Sequence, residues 1–187
     1  MQKRLAVATL MMFGSVGGAF AECNSMWLTR NIVFDRAGYC FGSNLGQSVF
    51  NNAGCTGTDV TLGAADQDFV NYTRQMEDEF QCSIDTSAKT LDLELIGSWM
   101  QLADLPRRDL WESSCIGWIG PSLPLRAAAN DTSTVLGQVS PGDDIGLSHV
   151  DINEFSFAEI TRDGTLVAIG WIPAEFIGPM TCSDMAG

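Results

Sequence analysis

Six cysteines are the feature that most restricts how this chain can fold. They stand at positions 23, 40, 55, 82, 115 and 182. All of them follow a basic segment at residues 2–4, an apolar run at residues 5–16 and an Ala-x-Ala cleavage motif at residues 19–21, a pattern typical of a secretory signal peptide. An even number of cysteines in an exported chain indicates disulfides. The chain is therefore predicted to lose residues 1–21 and to fold in the periplasm or outside the cell.

The pairing of the cysteines stays open at the level of the sequence, because six cysteines allow fifteen connectivities. We predict the pairs Cys40–Cys55, Cys23–Cys82 and Cys115–Cys182. In that order, the pairs would close a short loop, tie the N-terminus to the end of a helix and clamp the two ends of a C-terminal domain. Each pair would add about 2–4 kcal/mol of stability. No C-x-x-C occurs, so neither a thioredoxin-like redox motif nor a zinc ribbon is indicated.

The charge of the chain argues against polyanionic partners. The sequence holds 10 basic and 23 acidic residues, a net charge of −13, and removal of Lys3 and Arg4 with the signal peptide leaves −15. Such a chain is repelled by DNA, by RNA and by anionic membrane surfaces, so we expect no nucleic-acid partner. The apolar run at residues 5–16 is too short to cross a bilayer, and no stable membrane insertion is expected after cleavage.

The N-terminal half carries helical patterns. Asn24 or Ser25 is suited to begin a helix, because a short polar side chain accepts the free N–H groups of the first turn. Gly38 is suited to end that helix, because glycine readily adopts the left-handed conformation that follows a helix. Apolar residues then recur at spacings of three and four in three later segments. These further helices are expected at residues 45–50, 64–82 and 96–105.

From Cys115 onward the chain consists of short, branched segments separated by Gly, Pro, Asn and Asp, which is typical of strands. Asp163-Gly164 lies between the last two segments and is typical of a hairpin turn. Several short strands in succession favour a small barrel. The predicted strands are residues 123–126, 135–139, 145–150, 155–160 and 166–171. The boundary between the helical and the strand-rich part is placed at residues 106–112.

A motif in the first helix carries a family resemblance. The pattern R-N-x-x-F-x-R-x-G-x-x-F is formed by Arg30, Asn31, Phe34, Arg36, Gly38 and Phe41. It resembles the YARHG motif of secreted bacterial proteins, although Ala37 stands in place of its histidine and Asp35 in place of its alanine. The wider stretch from Arg30 to Cys55 resembles secreted alphaproteobacterial proteins of the DUF4453 type, which have no established activity to carry over. We expect the motif residues to be structural, as core and capping residues.

The C-terminal half resembles bacterial SH3-like domains. Leu123–Arg126, Thr134–Val139 and Pro141–Asp144 resemble the opening of those domains, which runs L-x-x-R, a variable loop and then V-x-G-x-x-x-x-G. Gly170–Pro173 resembles their closing G-W-V segment. The resemblance implies a small barrel that binds cell-wall peptides or glycans, or that packs against a neighbouring domain.

These predictions give the fold class α+β. A helical, disulfide-stapled and YARHG-like domain at residues 22–110 would be followed by a small SH3-like β-barrel at residues 111–187.

No catalytic constellation is recognisable in the sequence. His149 is the only histidine, and neither a triad nor a typical zinc site can be built from it alone. P-loop, G-x-S-x-G and G-x-G-x-x-G motifs are missing, so no metal and no cofactor is expected. Trp118, Phe155 and Trp171 are candidates for a shallow ligand groove on the barrel, as in SH3-type recognition. The alternative is that the two tryptophans belong to the core of a small domain.

We expect a non-catalytic cell-envelope protein that binds peptidoglycan or a protein partner through its SH3-like domain. A periplasmic hydrolase is the alternative, because two carboxylates can hydrolyse a glycoside without a histidine. A deep cleft with two close acidic side chains would favour the hydrolase. A small inhibitor or adaptor of another envelope protein is a third hypothesis, and a large exposed apolar patch would favour it.

Overall fold

A computed structural model describes residues 16–187 of the chain, so most of the predicted signal peptide lies outside the described residues. The N-terminal part is helical, as predicted. Among residues 16–187, no helix is long and apolar enough to cross a membrane. The helices are α1 (Val16–Arg36), α2 (Asn44–Phe50), α3 (Ala64–Glu79) and α4 (Ile96–Trp99).

The ends of the helices differ from the predicted ends where backbone geometry overrides the pattern. Helix α1 continues upstream of Asn24 and Ser25, and Ser25 donates its hydroxyl to the Glu22 carbonyl inside the helix instead of capping it. Helix α2 begins after Ser43, whose hydroxyl accepts a bond from the Gly46 N–H at 3.1 Å. Helix α4 contains a single turn, although a helix as far as residue 105 was predicted.

Three disulfides connect the six cysteines in the predicted pairs. Their Cα–Cα distances of 5.1–5.3 Å are ordinary for a disulfide. Cys23–Cys82 joins α1 to the end of α3, and Cys115–Cys182 joins the first strand to the last. In the chain-entropy model, a disulfide contributes about 3 kcal/mol for the short loop and about 4 kcal/mol for the two long ones.

The C-terminal part is one antiparallel sheet in the order β3-β2-β6-β5-β4-β1-β7. Its edge strands β3 and β7 pair with one neighbour each, so the described sheet is not closed, and the predicted SH3-like barrel is not confirmed. The α+β class is confirmed. The strands are β1 (Arg108–Trp118), β2 (Leu123–Arg126), β3 (Val135–Val139), β4 (Asp144–His149), β5 (Phe155–Arg162), β6 (Thr165–Pro173) and β7 (Cys182–Ala186).

Five of these strands lie where the pattern placed them, and β1 and β7 were missed. Strand β1 occupies part of the segment that was predicted as a domain boundary. Its register with β4 shifts between Arg108 and Ser113, and Leu110 and Trp111 between them are exposed, Trp111 with 81% of its surface. A bulge of this kind interrupts the alternation of apolar and polar residues, and alternation is the signal by which a strand is recognised.

One apolar core joins the helices to the sheet. Leu28 of α1 and Trp99 of α4 belong to the same buried cluster as Phe157 of β5 and Trp171 of β6. The Trp99 and Phe157 ring centroids are 5.3 Å apart, and the Trp171 indole N–H donates to the Asp104 carbonyl at 2.9 Å. The segments 22–110 and 111–187 therefore fold on a shared core, and their division into separate domains stays a prediction.

The turn that follows α1 depends on Gly38. Its φ is +83°, and an added Cβ would lie 2.8 Å from the Thr56 hydroxyl oxygen. Gly38→Ala should lower the free energy of unfolding by about 1–3 kcal/mol, because the side chain meets both backbone strain and a clash. Urea unfolding measures the change. Gly42→Ala is the matched control, since a Cβ there meets nothing within 4 Å, and an equal loss in both variants would contradict the prediction.

Candidate functional site

Two of the three aromatic residues predicted to bind ligand are core residues. Trp118 and Trp171 are both 0% exposed, so neither ring can line a groove, and the prediction is wrong for them. Their indole N–H groups donate to the carbonyls of Pro121 and Asp104, each at 2.9 Å. The physical reason is the shortage of apolar volume in a small sheet, in which large aromatic side chains supply much of the core.

Phe155 is also mostly buried, but it lines a groove at the beginning of β5. The groove has a volume of about 480 Å³, which falls in the usual range of ligand pockets. Phe176 forms another part of its wall and is 38% exposed. The lining residues are Asp131, Glu154, Phe155, Pro173, Ala174, Glu175 and Phe176. We refer to these seven residues as the acidic groove.

A tight turn builds one side of the acidic groove. Ile152 and Phe155 exchange two backbone hydrogen bonds of 2.9 and 2.8 Å, and the two residues between them, Asn153 and Glu154, have φ values of 50° and 65°. Two successive left-handed residues define the type I′ turn that suits a hairpin. The Glu154 carbonyl then accepts the Ala174 N–H at 2.9 Å, which fixes the turn against the opposite wall.

The opposite wall follows from the end of β6. Pro173 is the last residue of β6 and lies across from Phe155 in the sheet register. A single 3₁₀ turn at Ala174–Phe176 comes directly after it and carries Glu175 and Phe176 into the groove. Proline at the end of a strand is typical, because its nitrogen cannot donate to a further ladder bond.

The chemistry of the acidic groove favours a cationic ligand with an apolar part. Three carboxylates line it, from Asp131, Glu154 and Glu175, and its other walls are aromatic or aliphatic. No basic side chain is among the lining residues. Carboxylates attract ammonium and guanidinium groups, and aromatic faces attract cations as well as apolar surface.

His149 lies away from the acidic groove, and the residue is half-buried. Its ring packs edge-on against Phe157 with centroids 4.9 Å apart. Burial, and secondarily the positive charge of Arg108, lower the pKa of His149 to about 3, so the ring is neutral near pH 7. Across the part of the chain that the structure describes, no group of three His, Cys, Asp or Glu side chains is arranged to hold a metal ion.

The motif residues of α1 make structural contacts. The Arg30 Nε donates to both carboxylate oxygens of Glu77 on α3, at 3.1 and 2.9 Å, and the Asn31 side-chain amide donates to the Trp27 carbonyl at 2.7 Å. Arg36 donates to the carbonyls of Leu102 and Ala103 and so joins the end of α1 to the turn before the sheet.

The aromatic residues of the motif belong to one cluster beside α1. Phe34 packs edge-on against Tyr39 at 5.8 Å, and Phe41 stacks on Phe50 at 4.5 Å. Gly38 provides the turn between these aromatic residues. These contacts lie within the helical part, and the structural role of the motif stays a prediction.

Comparison with known protein families assigns the sheet and the segment before it to one family. The model described as a domain of unknown function (DUF4453) matches residues 81–187, more than half of the chain. The chain belongs to the DUF4453 family. The model of the YARHG domain matches residues 19–78. The comparisons with curated proteins and with solved structures found no match.

In this DUF4453 protein, the YARHG match ends at residue 78 and the DUF4453 match begins at residue 81, and the domain boundary at residues 106–112 stays a prediction. The YARHG domain and the three disulfides indicate an exported protein. All seven residues of the acidic groove lie inside the DUF4453 match. The site is therefore a feature of the sheet and not of the YARHG domain.

Sequence reasoning found one residue of the acidic groove, Phe155, and missed the rest. The missed acidic and aromatic residues come from three separate segments, at Asp131, at Glu154 and at Glu175-Phe176, and the β5–β6 pairing brings the last two segments together. One usable signal was the sequence Glu175-Phe176, an acidic and an aromatic residue directly after a strand that ends in proline. The turn at Asn153-Glu154 is hard to predict from the sequence, because glutamate rarely adopts a left-handed conformation.

Removal of core and groove aromatics should have very different effects on stability. Trp171→Ala should lower the free energy of unfolding by about 3–5 kcal/mol, because it leaves a cavity in the shared core. Phe176→Ala should change it by no more than about 0.5 kcal/mol, because the ring is partly exposed. Urea unfolding followed by circular dichroism measures both. A Trp171→Ala variant as stable as the wild type would contradict the placement of the indole.

Proposed function

We propose that this exported DUF4453 protein is a binding protein of the cell envelope, and that its acidic groove holds a ligand with a positively charged group. The observation that carries the proposal is the convergence of Asp131, Glu154 and Glu175 around Phe155 and Phe176. Charge complementarity supports it, because a groove with three carboxylates attracts a cation and repels an anion. The preformed turn and the partly buried aromatic floor support a site that is ready to bind.

We further propose that the sheet is a variant of the SH3-like architecture. The meander β4-β5-β6, a single 3₁₀ turn and a last strand that returns to pair with β1 support this assignment. The hairpin of β2 and β3 contains segments that resemble the opening of SH3-like domains. In SH3-type recognition, peptides bind along aromatic-lined grooves, and the acidic groove supplies such a surface.

The ligand we propose is the peptide part of peptidoglycan. A stem peptide with a free amine offers the positive charge, and its aliphatic side chains offer the apolar part. A groove of about 480 Å³ holds a short peptide and not a folded partner. An exported protein meets this polymer in its own compartment. A basic segment of an envelope protein carries the same chemistry and is the competing outcome of the experiment below.

Retention on purified peptidoglycan sacculi tests the proposal. The oxidised mature protein should be retained, and retention should fall as NaCl rises from about 0.05 to 0.5 M, because salt screens exposed charges. The double variant Glu154→Gln/Glu175→Gln should lose most of the retention, since it keeps the shape of the groove and removes two of its three charges. Pelleting with sacculi followed by quantitative blotting gives the bound fraction.

The matched control is Asp59→Asn/Asp92→Asn, which removes the same charge from exposed positions outside the acidic groove. The control should be retained like the wild type. An equal loss of retention in both double variants would show a general effect of charge and would contradict binding at the acidic groove. If sacculi retain none of these proteins, the peptidoglycan ligand is wrong, and crosslinking in the exported compartment then tests the protein partner.

One observation favours the alternative hydrolase. Glu159 of β5 lies in a second pocket beside Glu22 and Glu112, and burial raises its pKa to about 7, a value suited to a proton donor. Glu22 and Glu112 are both ion-paired with Arg108, which leaves no second carboxylate free of a counter-ion. The same sacculi experiment tests this alternative, because a hydrolase would release soluble muropeptides into the supernatant and a binding protein would not.

A further inference from the structure

A second pocket, of about 360 Å³, lies on the sheet where it meets the N-terminal turn of the mature chain. It is separated from the acidic groove, since Phe155 and Glu159 are about 13 Å apart along β5. Three glutamates from three elements face it: Glu22 of α1, Glu112 of β1 and Glu159 of β5. Serine side chains and the last two residues of the chain complete it. We refer to it as the glutamate pocket; its further lining residues are Ser113, Ser114, Gly146, Leu147, Ser148, Ala186 and Gly187.

A buried arginine compensates two of the three glutamates. The Arg108 side chain is 1% exposed; its Nη2 donates to the Glu112 carboxylate and its Nη1 to the Ser148 carbonyl. Its Nε lies 2.5 Å from a Glu22 carboxylate oxygen. The two form an ion pair, but the angle at the Nε hydrogen does not allow a hydrogen bond. The guanidinium also stacks over the Phe80 ring, 5.2 Å from the centroid. Two of the three guanidinium nitrogens of Arg108 therefore donate hydrogen bonds within the protein, and the third makes a charge contact only.

Glu159 is the glutamate without a partner. Among residues 21–187, no side chain or backbone group forms a hydrogen bond or an ion pair with its carboxylate. It stands opposite Gly146 in the β4–β5 register, and a Cβ added to Gly146 would lie 3.8 Å from one Glu159 carboxylate oxygen. The absence of a side chain at Gly146 thus leaves the partly buried Glu159 carboxylate open to the pocket.

The surroundings of Glu159 supply no spare positive charge. The charged groups that act on it are Glu22, Glu112 and Arg108. Arg108 is shared by the other two glutamates. Burial first, and the negative charge of Glu22 second, raise the pKa of Glu159 to about 7 against the opposing effect of Arg108. A partly buried carboxylate of this kind is stabilised by any cation that fits the space.

We propose that the glutamate pocket is a second ligand site, which takes a single protonated amine with the Glu159 carboxylate as its counter-ion. The described residues offer no three-ligand metal arrangement, so an organic ammonium group suits the site better than a metal ion. An ammonium has three N–H donors, and the hydroxyl of Ser114, which lies on the same face of the sheet as Glu159 through the pairing with Gly146, can accept one that Glu159 leaves free. A lysine-type side chain and an amino sugar are two sources of such an amine, and both carry a single ammonium group. The site is independent of the acidic groove.

Titration with small amines tests the site directly. Backbone amide signals of ¹⁵N-labelled mature protein are followed at pH 8, where Glu159 is ionised, during addition of ethylammonium chloride. Signals of Gly146, Leu147 and Ser113 should shift and saturate, and NaCl of the same ionic strength should not move them. Nα-acetyl-lysine and glucosamine form two further arms, and the tighter ligand identifies the source of the amine.

Glu159→Gln should weaken the binding of ethylammonium by about tenfold or more, because the amide keeps the shape and removes the counter-ion. Asp59→Asn is the control with the same change in net charge and should bind like the wild type. The proposal is overturned if ethylammonium and NaCl produce the same shifts, or if Glu159→Gln binds as tightly as the wild type. Retention on sacculi depends on the acidic groove, so the two proposals can fail separately.

The same substitution should change how stability depends on pH. The pKa of Glu159 is raised in the folded protein, so its contribution to stability is present below the ordinary glutamate pKa of about 4.5 and is lost as pH rises through about 7. The Tm of Glu159→Gln should therefore exceed that of the wild type at pH 8, and the difference should shrink at pH 4.5. Thermal melts at the two pH values measure it. A difference independent of pH would contradict the burial of an ionisable Glu159.

Discussion

Arg108 holds the helical part and the sheet in one arrangement. Its side chain joins Glu22 at the predicted mature N-terminus to Glu112 and to the Ser148 carbonyl of the sheet, and Tyr72 of α3 donates its hydroxyl to the Arg108 carbonyl at 2.7 Å. A buried guanidinium is costly unless it is paired, and loss of one partner from such a network costs about 3–5 kcal/mol. The position of α1 against the sheet, and hence the glutamate pocket between them, depends on these contacts.

The shared core acts in the same direction as Arg108, and the Cys23–Cys82 disulfide adds a covalent link between the YARHG and DUF4453 segments. Trp99 and Leu28 from the helical part pack in the cluster that contains Phe157 and Trp171. The YARHG and DUF4453 segments therefore form one packed structure in this protein, although two family models describe them. The consequence for function is that a helix contributes Glu22 to a pocket that is otherwise built from strands.

The two sites on the sheet have different physical character. The acidic groove is a surface site with exposed carboxylates, an exposed phenylalanine and a preformed turn, which suits selection of a ligand by charge and shape. The glutamate pocket is a charged site around a buried arginine, in which one carboxylate lacks a partner. A ligand that contacts both would have to run along β5, whose residues 155 and 159 belong to the two sites.

The sequence by itself determined the exported and disulfide-bonded character of the protein, its α+β class, the helices of the YARHG segment and five of the seven strands, because these follow from local spacing and from cysteine number. The tertiary structure decided which aromatic residues face solvent, because exposure depends on what packs against each ring: Trp118, Trp171 and Phe155 are buried, whereas Trp111 and Phe176 are exposed. It also decided both sites. Glu22, Glu112 and Glu159 are brought together by strand pairing and by the Arg108 contacts, and no local pattern connects residues so far apart in the chain.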